Sequence, residues 1–280
     1  MDKAFWRSIL KNEAAVPEGH RAIEYVPELM EGLGSTDPEL RDSLCVEVLC
    51  NWVNDGRFTP DELRPLADQL MDNLKAGVGQ GENDQVFLRT FSVLVLRWIV
   101  EHDAVRRLFS PEELKRVFES ALRYLSDEKD LRGFVPAKGW AHSAAHTGDL
   151  LFALAKHPGI GAEDLDRTLH AISAKVLAST PYPLIDREEF RLSQVVIAIL
   201  RRDVLPLERV VAWLDLLGGG STPRHQEYRA GEDNVRYHNA EAFLAALQLM
   251  LTYQDLPESL KARLLPAVHA AQKSFTPWWF

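Results

Sequence analysis

Helix starts recur along this sequence in one form, and they decide what the chain folds into. Asp37-Pro38-Glu39, Thr59-Pro60-Asp61-Glu62 and Ser110-Pro111-Glu112-Glu113 each set a side-chain oxygen immediately before a proline. That oxygen accepts a backbone N–H left unpaired in the first helical turn, and proline at the first helical position gives up no helical hydrogen bond. Glu62 and Glu113 stand three residues after their capping residue, where a carboxylate reaches back to its N–H. Downstream, apolar residues return every three or four positions: Leu63, Leu66, Leu70 and Leu74, then Leu114, Val117, Phe118, Leu122 and Leu125. No stretch alternates as a half-buried strand does. The pattern predicts an all-α chain of about a dozen helices.

The helices also fall in pairs. Leu63, Leu114 and Leu165 hold equivalent places in TPDEL, SPEEL and GAEDL, 51 residues apart each time. Each follows another helical segment, at 38–54, 84–102 and 140–156, and two further pairs follow at 187–202 with 206–217 and 239–254 with 257–273. Such spacing predicts stacked helical hairpins in an α/α superhelix, a HEAT-like solenoid, with an ordinary helical bundle as the alternative. No composition shift divides residues 1–280, which read as a single helical-repeat domain. Two long connections interrupt the pattern, 127–139 and the glycine-rich 218–234. Loops of the second length are functional or disordered in compact domains. The closing Trp278-Trp279-Phe280 reads first as a cap folded over the last repeat.

Charge and cysteine usage narrow the function classes. With 32 basic and 41 acidic residues the net charge is -9, which argues against nucleic acid or an anionic membrane as the main partner, since both need a dominant basic face. No apolar run approaches the roughly 20 residues of a membrane span, and the first residues lack a signal-peptide pattern. Cys45 and Cys50, five apart on one helix, point to different sides, so a bridge between them is not expected. A cytoplasmic location is expected.

The chemistry concentrates in Lys138 to Ala155, KGWAHSAAHTGDLLFALA. A helix from Trp140 would align His142, His146 and Asp149 on one face. Two imidazoles a turn apart suit one divalent metal, and a carboxylate on the next turn completes or orients the set. The zinc-peptidase glutamate of HExxH is missing. The plainer reading is a close-packed small-residue helix whose histidines are satisfied by their neighbours. Arg89 interrupts an apolar helix and must be paired if buried. Asp84 is the nearby acid, five residues away and off its face. Asp130 and Arg132 lead into the His142 helix, Arg191 lies in the fourth pair, and His238 opens a helix of the fifth. Such positions converge on a concave surface or simply bridge repeats.

STDPELRDSLCVEVLCNWV, NDQVFLRTFSVLVL and DLRGFVPAKGWAHSAAHTGDLLFALA together resemble the bacterial family known as domain of unknown function 2785. The resemblance runs from about Val16 to the fourth pair and is weaker from Gly218 onward. It implies a helical bacterial protein and no reaction, and it draws attention to Asp130, Arg132, Lys138, Trp140, His142, His146 and Asp149.

Two expectations follow. The first is a helical-repeat protein that binds a protein partner or a small ligand in a concave polar pocket around the third pair, lined by Arg89, Asp130, Arg132, Lys138, Trp140, His142, His146 and Asp149. The second is a metal-assisted hydrolase in which His142, His146 and Asp149 hold the ion.

Overall fold

The computed structural model describes residues 2–226 and 232–279. Among these, twelve α-helices supply nearly all the regular structure, and the one sheet is a two-stranded hairpin. The all-α expectation holds. Packing groups the chain into two compact units, Met1–Gly159 and Ile160–Phe280, where the sequence had shown no boundary. Each is described by itself.

The first unit contains α1 (Lys3–Lys11), α2 (Val26–Leu33), a π-helical stretch (Glu39–Val46) that runs into α3 (Glu47–Asn54), α4 (Pro60–Asn73), α5 (Gln85–Arg106), α6 (Pro111–Asp127), the hairpin β1 (Phe134–Val135) and β2 (Gly139–Trp140), and α7 (Ser143–Lys156). The capping residues act as their types require. Glu113 N donates to Ser110 Oγ at 3.2 Å, and Ser110 N to Glu113 Oε2 at 2.7 Å. The Thr59–Glu62 box is likewise closed, and Asp37 Oδ1 accepts from Glu39 N at 3.0 Å. Leu63 and Leu114, equivalent in sequence, are both buried.

Helix α5 is the unit's central strut and packs on α3, α4 and α7. Its Phe87, Val95, Leu96, Ile99 and Val100 are wholly out of water, each such side chain contributing about 1.5–3 kcal/mol over an exposed position. A second apolar focus forms where Trp6 and Trp52 meet, ring centroids 6.3 Å apart. Their indole N–H groups find acceptors, Glu28 Oε1 at 3.1 Å and Ala14 O at 2.6 Å, as buried indoles require. At the far end of α5, Asp103 accepts from the N–H groups of Leu108 and Phe109 and lies 2.9 Å from His157 Nε2, tying the end of α5 to the end of α7.

The second unit contains α8 (Ala162–Val176), α9 (Glu188–Arg202), α10 (Leu207–Leu217), α11 (Glu232–Tyr253) and α12 (Glu258–Phe275). Helix α11 packs on α9 and α12, and α10 packs on α8 and α12. Leu165 is buried near the start of α8, the same place that Leu63 and Leu114 take in α4 and α6.

Three expectations change here. Helix α11 begins at Glu232, so His238 lies in its second turn instead of opening it. The 218–234 connection is shorter than expected for that reason, and it holds a 3₁₀ turn at Arg224–Gln226 fastened by Arg224 to the carbonyls of Leu216 and Leu217. Residues 227–231 of that segment lie outside the described residues. Trp278 and Trp279 form a 3₁₀ turn with Pro277 and stand 68% and 78% exposed, so their indoles do not cap a core. Phe280 lies outside the described residues. Among those described, no helix is long and apolar enough to cross a membrane.

Candidate binding site

The site grows from the connection between α6 and α7 in the first unit. Gly133 and Arg132 extend the hairpin ladder, accepting from Ala141 N at 2.8 Å and His142 N at 3.0 Å. The chain then turns sharply into α7. His142 takes a left-handed conformation (φ 56°) as the N-cap residue, and its carbonyl accepts the first helical bond from His146 N. Residues 140–142 are therefore not helical, contrary to the sequence reading: Gly139 and Trp140 are paired as strand, and α7 starts at Ser143. The Ser143 hydroxyl donates back to Asp130 O at 2.7 Å, holding the helix start against the connection.

Two buried arginines brace the α6–α7 connection, Arg89 at its start and Arg41 at its hairpin. Arg89 donates to both oxygens of Glu128, 2.5 and 3.0 Å, and to Ala76 O at 2.7 Å and Asn83 Oδ1 at 3.2 Å. The Glu128 carboxylate also accepts from Asp130 N at 2.9 Å. Asp130 in turn holds the Arg132 guanidinium at 2.5 and 2.8 Å and accepts from Asn83 N at 3.2 Å. Lys138 reaches out to Asp84, 2.7 Å away. Arg89, Asp130, Arg132 and Lys138 thus fasten the 76–84 segment to the 128–138 segment.

Arg41 does the same from the other side. Its wholly buried guanidinium lies 4.1 Å above the Phe87 ring and 4.7 Å from that of Phe91. It donates to Ser35 O at 2.6 Å, Lys138 O at 2.8 Å and Trp140 O at 3.4 Å. Its Nε pairs with Asp42 Oδ1 at 2.7 Å. Burial pushes the Asp42 carboxyl up to about 6 against the pull of Arg41. Gly139 completes the close approach: at φ +78° a Cβ there would lie 2.7 Å from Pro38 Cβ and 3.1 Å from Arg41 Nη2.

From that guanidinium a row of rings runs outward. Phe91 meets His146 edge to face at 5.3 Å, His146 meets His142 at 5.7 Å, and His142 stacks on the Trp140 indole at 4.5 Å with an 18° tilt. Phe134 closes the row against Trp140 at 5.2 Å. Thr90 Oγ1 lies 3.4 Å from His146 Nδ1. Phe91 is buried, both histidines are half-buried, and Trp140 and Phe134 stand 39% and 57% exposed. Asp149 is buried on α7, one turn beyond His146.

The row brings together Trp140, His142 and His146, with Lys138 at its edge. It does not assemble a metal centre: among the described residues no three of His, Cys, Asp and Glu are placed to hold one ion. The reason is local. His142 is off the helix with its imidazole flat on an indole, so although its ring meets that of His146 it does not align with His146 and Asp149 along one helical face. Arg191 and His238 belong to the second unit.

Sequence reasoning missed Arg41, Glu128 and Phe134. Arg41 had a readable signal, since Arg41, Cys45 and Val48 share a helical face whose other members are apolar. Glu128 ends a helix and Phe134 sits in a two-residue strand, where periodicity is silent.

Residues 74–249, more than half of the chain, match the family described as Protein of unknown function (DUF2785). The chain belongs to this family. The DUF2785 match begins later than the resemblance near Val16 suggested and continues past Gly218 to residue 249. It includes Arg89, Glu128 and the whole hairpin, whereas Arg41 precedes it. No curated protein matches the chain, and no solved structure does.

Proposed function

We propose that this DUF2785 chain is a binding protein whose helical hairpins stack in a HEAT-like manner, and that the Phe134–His146 row receives a protein segment or a small ligand. One observation carries the reading. Phe134 and Trp140 stand in water on a hairpin that the buried Arg41 holds by the carbonyls of Lys138 and Trp140. A hairpin of two-residue strands has little stability of its own, so such fixing serves the surface it presents. Large apolar rings beside polar, half-buried imidazoles form the mixed surface that binding sites use: aromatic area for contact, a few ring nitrogens for orientation.

A thermal-shift screen of metabolites and of candidate partner proteins tests the reading on wild type, Trp140→Ala, His142→Ala and the control Trp278→Ala. Stabilisation seen with wild type and the control, and lost in the two site variants, supports it. Hits that stabilise all four proteins equally place the ligand elsewhere and reject the row as the site.

A further inference from the structure

A cleft of about 510 Å³ opens in the second unit between α10 and α12, a volume within the range of small-molecule sites, roughly 300–1,000 Å³. Val211, Pro223, Ala267 and Ala271 give it apolar walls, and Asp215, His225 and Lys273 line it with them. The two helices come close near their C-terminal ends, where a Cβ added to Gly218 would lie 3.0 Å from Ala271 Cα. The turn that follows α10 is tied to α12. Arg224 N donates to Ser274 Oγ at 2.8 Å, the Ser274 hydroxyl donates to Gly218 O, and His225 Nδ1 lies 3.0 Å from Ser274 O. A carbonyl only accepts, so Nδ1 carries a proton, and in the neutral ring Nε2 keeps its lone pair for a ligand.

Asp215 is the residue that the fold does not explain. It stands in the last turn of α10, where the helix dipole favours a cation and opposes a carboxylate. Other charges on these two helices are paired, Glu208 with Arg263 at 3.0 Å and Arg209 with Asp166 at 2.8 Å. Among the described residues, neither the Asp215 nor the Lys273 side chain has a hydrogen-bond or ion-pair partner. Gly220 leaves the carboxylate uncovered. At φ +57° it brings no side chain, and a Cβ there would already stand 3.8 Å from Asp215 Oδ2. Lys273 repels a simple cation and Asp215 a simple anion, so together they select a molecule that carries both charges. The apolar walls select an uncharged side chain on it.

We propose that the α10–α12 cleft binds a zwitterionic α-amino acid with an apolar side chain, its ammonium set against Asp215 and its carboxylate against Lys273. The site is separate from the ring row and does not depend on it.

Leucine, isopentylamine and 4-methylpentanoate share one alkyl chain and carry both charges, the ammonium alone and the carboxylate alone. Each is titrated calorimetrically into the full chain. Asp215 and Lys273 are exposed, so Asp215→Asn and Lys273→Gln leave the fold intact, which circular dichroism verifies. Leucine is expected to bind wild type and to lose about tenfold or more in affinity to each variant, the effect of one charged hydrogen bond removed. The amine and the acid should each bind wild type about tenfold or more weakly than leucine does. Methyl resonances of Val211, Ala267 and Ala271 should shift on adding leucine. Absence of leucine binding, equal affinity for wild type and either variant, or shifts confined to other methyl groups overturns the proposal. So does the amine or the acid binding as tightly as leucine, because the cleft then receives a single charge and not a zwitterion.

Discussion

Arg89 and Glu128 face each other with both carboxylate oxygens engaged by one guanidinium, at 2.5 and 3.0 Å, and neither side chain is more than 2% exposed. Removing one member leaves the other charged and unpaired away from water. Glu128→Gln and Arg89→Met should each lower unfolding stability by about 3–5 kcal/mol, read by urea denaturation. The double change Arg89→Met with Glu128→Leu should be less destabilising than the sum of the singles. Purely additive losses would mean that the pair does not act as a unit.

Arg41 carries three backbone carbonyls and two ring faces. Lysine supplies a point charge but not a planar fork, so Arg41→Lys is not conservative here. Each carbonyl left without a donor costs about 1–3 kcal/mol. The expected loss is at least about 2 kcal/mol, with faster hydrogen exchange at the Ala141 and His142 amides as the hairpin loosens. Unchanged exchange at those two positions would show that Arg41 does not anchor the hairpin.

Gly139 has room for no side chain. Gly139→Ala puts a Cβ at positive φ and against Pro38, a strain of about 1–3 kcal/mol before the contact itself is counted. The melting temperature should fall, and the near-UV dichroism from Trp140 should change with it. Gly19, also at positive φ but with nothing within 4 Å, is the control. Gly19→Ala should cost less.

Glu188 opens α9 in the second unit, 2% exposed, with its carboxylate accepting from Asp186 N at 2.8 Å. Burial pushes its carboxyl up to about 7 from an ordinary 4.5. The folded state therefore holds this proton more tightly than the unfolded chain does. Its stabilising contribution is complete below about pH 4.5 and is lost as pH rises to about 7, a change on the order of 3 kcal/mol. Glu188→Gln keeps an oxygen for Asp186 N and removes the titration. Relative to wild type, the variant should gain stability between pH 5 and pH 8 in parallel denaturation curves. A constant difference across that range would mean that Glu188 does not titrate there.

The helices were legible because their signals are local. Thr59 with Glu62 and Ser110 with Glu113 are each written within four residues, and Leu63, Leu114 and Leu165 mark the same place in α4, α6 and α8. The candidate site was legible in part. Arg89 was recognised as needing a partner, but its acid is Glu128, 39 residues away, while Asp84 went to Lys138. The turn at His142 was hidden, since WAHSAAH scans as helix from Trp140 onward and strands of two residues are too short to alternate. What separates helix from hairpin there is Gly139 pressed on Pro38 and Arg41, a contact between segments about 100 residues apart in sequence.

The π-helical turns at Glu39–Val46 hold more residues per turn than the α3 turns that follow them. Arg41 lies within that stretch and faces Phe87 and Phe91 from it. The register of this element is thus a matter of residue number as well as residue type. Excising one residue, such as Ser43, would let the stretch wind as an ordinary α-helix with every side chain otherwise unchanged. Because π winding takes in about one residue more than α winding over such a stretch, the part before the excision would turn far less than the roughly 100° that one α-helical residue spans, and Arg41 would stay near its two rings.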